Sequence, residues 1–142
     1  MMDIDSVMGL APVIPVLMVD DIAHARPLAE ALVAGGLPVL EVTLRTPVAL
    51  DVITEMAKVP GAIVGAGTVI SSGDLAAALV AGARFVVSPG ITAALGSAAR
   101  TSGVPFLPGV SSASDIIRAQ EMGFNRLKFF PAVAAGGLPM LR

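Results

Sequence analysis

The sequence predicts an α/β chain of the (β/α)8 TIM barrel class, with six of the eight βα units present. Residues 1–142 then form a single, incomplete barrel domain. Three observations carry this expectation. Short apolar segments alternate with helical ones at about 22 residues per unit, the spacing of right-handed strand–helix–strand crossovers in a parallel sheet. The composition is 55% hydrophobic and only 14% charged, as strands buried on both faces require. Charged side chains also stand inside two of the apolar strands, where an open doubly wound sheet would leave them against helices.

The expected strands are Val13–Val19, Val39–Leu44, Ala62–Ala66, Arg84–Ser88, Val104–Leu107 and Arg126–Phe130. Helices are expected between them at Ile22–Ala34, Val48–Lys58, Gly73–Ala81, Ala93–Thr101 and Ala113–Met122. Gly35, Gly82, Gly103 and Gly123 follow four of these, where a helix C-terminus takes a positive φ. Ser72, Thr92 and Ser112 are candidate N-caps. Pro27 falls within the first helical pattern, so that helix should kink or start late.

Composition also excludes function classes. Mean hydropathy is high at +0.85. Yet the longest uncharged stretches, Val59–Gly73 and Phe85–Ala99, fall short of the roughly 20 apolar residues of a spanning helix. Asp3 and Asp5 stand where a secretory signal would be basic. The chain has no Cys, which removes disulfides and thiolate catalysis and fits a cytoplasmic location. Net charge is −2 without a basic cluster, so no nucleic-acid partner is expected. A single His and no Cys give a transition metal poor ligands, so neither metal nor cofactor is expected. Gly65-Ala66-Gly67 resembles half of a dinucleotide fingerprint, but Ile70 stands at the third glycine position. His24 lies on an amphipathic helix and reads as an ordinary surface residue.

Side chains alternate along a strand. In Val39–Arg45 one face receives Leu40, Val42 and Leu44, which suits a helix layer. The other receives Glu41, Thr43 and Arg45, which suits a barrel interior that carries chemistry. A structural Glu–Arg pair is the plain alternative. The last strand repeats the anomaly. Of the two lysines, Lys58 closes a helix, where a cation is unremarkable. Lys128 lies inside an apolar strand, on one face with Arg126 and Phe130. Snorkelling to an edge is its ordinary explanation. A desolvated lysine beside another cation is otherwise a usable amine nucleophile, and Arg45 would be that cation if the strand ends converge. Gly65-Ala66-Gly67-Thr68, Ser88-Pro89-Gly90 and Pro108-Gly109-Val110-Ser111 close three strands, on the rim where such barrels place their sites. The Thr68 hydroxyl is a candidate hydrogen-bond donor to a small ligand there.

Five motifs then occur in order, each at a strand's C-terminal end: Glu41-Val42-Thr43-Leu44-Arg45-Thr46, Gly65-Ala66-Gly67-Thr68-Val69, Ser88-Pro89-Gly90, Pro108-Gly109-Val110 and Lys128-Phe129-Phe130-Pro131-Ala132. Together they resemble the class I 2-keto-3-deoxy-6-phosphogluconate aldolase and 4-hydroxy-2-oxoglutarate aldolase family, over essentially the whole chain. The resemblance implies a metal-free lyase of carbohydrate metabolism, in the Entner–Doudoroff pathway. It further implies a cytoplasmic homotrimer acting on a small keto acid. By the same resemblance Lys128 forms a Schiff base and Glu41 is the acid/base. Arg45 and Thr68 hold the pyruvate carboxylate, and Pro89 and Phe130 complete the substrate-binding set. Val133 departs from the family, which often carries Glu there. Eight units would require about 190 residues and a terminal helix, and the glycine-rich phosphate-binding loops would belong to the missing part. Six units alone would leave two open sheet edges and are expected to self-associate, with weak preference for a phosphorylated substrate. The competing functions are a catalytically inactive, self-associating fragment and a phosphate-handling epimerase. The epimerase would need a carboxylate pair or metal ligands on the rim.

Overall fold

The structure, a computed structural model, describes residues 2–142. Five parallel strands lie side by side in chain order: β1 (Val16–Leu17), β2 (Val39–Thr43), β3 (Ile63–Gly67), β4 (Val86–Val87) and β5 (Phe106–Leu107). The arc continues through β6 (Gly109–Val110), which pairs in parallel with β7 (Lys128–Phe129). The fifth unit therefore supplies two short strands. Pro108 separates them because it has no N–H to donate. Its carbonyl still accepts from the Lys128 N–H at 2.9 Å, so the turn passes from one neighbour to the next without losing register. The expected end at Leu107 is corrected accordingly: the extended backbone runs on through Val110.

Helices α2 (Ala25–Ala34), α3 (Ala49–Met56), α4 (Ser72–Ala81), α5 (Ala93–Ser102) and α6 (Ala113–Glu121) follow successive strands on the outside of the arc. The first starts late, as Pro27 requires. A 3-10 turn, Ile22–His24, leads into α2, and Pro27 occupies the third helical position, where the missing N–H has no intrahelical partner to lose. Thr92 and Ser112 cap α5 and α6 as expected, the latter in a reciprocal capping box with Asp115. The cap of α4 is Ser71 rather than Ser72: its side chain accepts from the Asp74 N–H. Gly82 and Gly103 take the left-handed conformation, but after α2 it is Gly36 that does so, while Gly35 stays at φ −80°. The sequence signals missed α1 (Ile4–Gly9), a short helix capped by Asp3.

Two apolar layers sandwich the strands. Between sheet and helices, Leu40, Val42, Val64 and Val86 meet Val52, Ile53 and Met56 and are essentially inaccessible. Full burial of each such side chain contributes about 1.5–3 kcal/mol. Phe106 and Phe124 meet edge-on at 5.1 Å within this region. Inside the arc, at the N-terminal ends of the strands, Val39, Phe85 and Val87 pack against Val7 of α1. Thus α1 plugs that end of the arc. The Arg126 guanidinium pairs with Asp5 of the plug at 2.5 Å on the exposed surface. A hollow of about 470 Å³ opens beside this pair, lined by α1 and the turns after α5 and α6.

Candidate active site

Chemistry gathers at the opposite, C-terminal end of the strands. All five residues of β2 are buried, and its alternation divides them as expected: Leu40 and Val42 face the helices, Glu41 and Thr43 the interior. Glu41 is 5% exposed and Thr43 3%. The Thr43 hydroxyl donates to the Leu17 carbonyl at 3.1 Å, and that of Thr46 to the Val19 carbonyl at 2.9 Å. These bonds tie the end of β1 to the end of β2. Arg45, the next residue on the inner face, reaches the mouth of the site and is exposed there. One step beyond the buried strand, a guanidinium keeps its hydration at little cost.

Lys128 enters from the far side of the arc. Its ammonium lies 3.5 Å from Glu41 Oε1 and 4.9 Å from the centre of the Phe130 ring. This is an ion-pair separation with a cation–π contact beside it. Burial pushes the Glu41 carboxyl above the usual glutamate range, and the positive charges of Lys128 and Arg45 only partly offset this. The result is a carboxyl poised to exchange a proton near an amine.

Between β3 and α4, Thr68 has φ +60°, the sole non-glycine with positive φ among the described residues. A β-branched residue is disfavoured there, and such strain persists only where surrounding structure enforces it. The Val69 N–H donates to the Val87 carbonyl at 3.3 Å and fixes the turn from the next strand. Thr68 is thereby delivered to the mouth that Arg45 also lines.

Glu41, Arg45, Thr68, Pro89, Lys128 and Phe130 line one cavity of about 180 Å³. The structure thus brings together every candidate site residue, contributed by four different strand ends. Val16 and Thr43 line it too and were not singled out. Thr43 was legible from its place on the face of Glu41, whereas Val16 carries no chemical signal. His24 lies outside the cavity, on the turn before α2. The cavity holds a lysine, a carboxyl raised by burial and an exposed guanidinium, which suits attack on a carbonyl carbon beside a carboxylate.

The comparisons with known proteins identify a family. The family described as KDPG and KHG aldolase matches residues 4–142. The 2-dehydro-3-deoxy-phosphogluconate aldolase of Zymomonas mobilis is 58% identical over 142 residues, which is all of this chain and 68% of that protein. The KHG/KDPG aldolase of Escherichia coli is 48% identical over 139 residues, 97% of this chain and 65% of the relative. Among solved structures, the KDPG aldolase of Legionella pneumophila superposes with a TM-score of 0.95 at 48% identity, covering 99% of this chain and 68% of that one. In that crystal structure pyruvate was captured at low pH as a covalent carbinolamine intermediate. The chain spans about two thirds of the length of these relatives. With matching fold, family motifs in order and relatives of this similarity, the chain belongs to the KDPG and KHG aldolase family.

Proposed function

We propose that this chain carries the catalytic centre of a class I aldolase that cleaves 2-keto-3-deoxy-6-phosphogluconate to pyruvate and glyceraldehyde 3-phosphate. The observation that carries the reading is the pairing of the Lys128 ammonium with the Glu41 carboxylate at 3.5 Å inside a cavity flanked by Arg45 and Thr68. The names of the relatives and the covalent pyruvate adduct of the Legionella enzyme support it.

In this reading Arg45 and the Thr68 hydroxyl hold the substrate carboxylate and aim the neighbouring keto carbon at Lys128. The neutral amine adds to that carbon to give a carbinolamine, and loss of water leaves an iminium. Glu41, directly or through one water, takes the proton from the C4 hydroxyl. The C3–C4 bond then breaks. Its electron pair moves to C3 and into the iminium, giving the enamine of pyruvate, while C4 leaves as the aldehyde. Protonation at C3 and addition of water release pyruvate and regenerate Lys128. Pro89 and Phe130 close the walls, and the Phe130 ring faces the amine. As part of the same reading the enzyme works as a cytoplasmic homotrimer, a state that light scattering measures. The direct test of the activity is pyruvate release from 2-keto-3-deoxy-6-phosphogluconate. It should be catalysed by the wild-type protein and lost in Lys128→Ala. Undiminished cleavage by Lys128→Ala would overturn the reading.

A further inference from the structure

The inward positions of β3 are Ile63, Gly65 and Gly67, so this strand presents almost no side chains to the interior above its first residue. Two different neighbours fill the space. A Cβ at Gly65 would strike the Phe85 ring, which belongs to the apolar plug. A Cβ at Gly67 would strike the Glu41 carboxylate, lying within 2.8 Å of both its Cγ and its Cδ. Gly67 keeps an ordinary extended backbone, so an alanine there would be excluded by Glu41 and not by its own φ.

We infer that Gly67 is a positioning residue: its missing side chain gives the Glu41 carboxylate a seat against the main chain of β3, within 3.5 Å of the Lys128 ammonium. The neighbouring strand leaves Glu41 little alternative. Its residue is buried, β2 and β3 are in register with Glu41 opposite Gly65 and Thr43 opposite Gly67, and Thr43 is held by its bond to Leu17. A methyl group at position 67 would push the carboxylate outward, away from β3 and toward the open mouth where Arg45 stands. Displacement of a catalytic group by about 1 Å lowers rate by about 10²-fold. The consequence for catalysis rests on the proton-transfer role proposed for Glu41; the seating itself does not.

The experiment compares wild type, Gly67→Ala and Glu41→Gln in the full chain. Three quantities are read: titration of the Glu41 carboxyl by carbon NMR, borohydride trapping of pyruvate on Lys128, and single-turnover cleavage. In Gly67→Ala the Glu41 carboxyl should titrate closer to an ordinary glutamate, because it moves toward water. Cleavage should fall by about 10²-fold while pyruvate trapping persists. An unchanged Glu41 titration in Gly67→Ala would overturn the inference. Full cleavage by Glu41→Gln would instead remove the catalytic role of Glu41, and the titration in Gly67→Ala would still decide the seating. If Gly67→Ala does not fold, Gly67→Ala combined with Glu41→Ala must fold, since the struck group is gone. A double variant that also fails to fold would overturn the inference.

Discussion

Along β2 the inward side chains run Val39, Glu41, Thr43, with Arg45 beyond, and the character of the arc changes along that line. At the N-terminal end Val39 joins Phe85, Val87 and Val7 in an apolar plug, and Asp5 of α1 pairs with Arg126 on the surface. Two residues further, the same face carries a buried carboxyl held above its usual range, an amine against it, and a strained threonine at the rim. The strands, their register and their helix-facing residues are common to both ends. What differs is the content of alternate positions. An apolar plug anchors the strands at one end, and that rigidity lets the other end hold charges in fixed places.

Substitutions at the two ends should have opposite signatures. The largest effect after loss of Lys128 itself is expected at Glu41. Glu41→Gln should slow carbon–carbon cleavage by about 10²–10⁴-fold, with less effect on trapping of pyruvate by borohydride. Rapid-quench kinetics separate the two steps. Because burial raises the Glu41 carboxyl, the wild-type rate should fall as pH drops through that raised value, and the limb should be absent in Glu41→Gln. The stability sign follows. The folded state favours the protonated carboxyl, so wild type should lose stability relative to Glu41→Gln as pH rises from the ordinary glutamate value through the raised one. Thermal melts across that range measure it.

Arg45→Ala comes next. Loss of one charge-assisted contact is worth about 1.5–3 kcal/mol, so KM for the keto acid should rise by roughly 10- to 150-fold with a smaller change in kcat. Since Arg45 is exposed, the melting temperature should hardly move. The reverse pattern is expected in the plug. Val7→Ala, in a fully buried side chain of α1, should destabilise by about 1–2 kcal/mol and leave kcat and KM of the folded protein unchanged. A large change in KM for Val7→Ala would show that the ends are not separable.

The sequence made the polar end legible and the apolar end much less so. Glu41, Arg45 and Lys128 stand out because charge inside an apolar strand demands a reason, and alternation puts Glu41 and Arg45 on one face of their strand and Lys128 beside Phe130 on another. Thr68, Pro89 and Phe130 became legible as members of ordered motifs at strand ends. Nothing in Ile4–Gly9 marked α1 as a plug, because six residues carry too little periodicity to show which face is buried. The break at Pro108 was hidden for a different reason. A proline reads as the end of a strand, while here it passes the pairing from one neighbour to another. Gly65-Ala66-Gly67-Thr68 read as the end of a strand on the rim, and only side-chain placement shows that Glu41 lies against Gly67.

The central claim is that Lys128 is the amine that bonds to the keto carbon. Mass spectrometry of the protein after incubation with pyruvate and borohydride tests it most directly, because the chain offers just one other lysine, Lys58, which pairs with Glu55 on the surface. One reduced pyruvate adduct is expected, mapped by peptide digestion to Lys128 and absent from Lys128→Ala. An adduct on Lys58 with Lys128 unmodified, or full modification of Lys128→Ala, would contradict it.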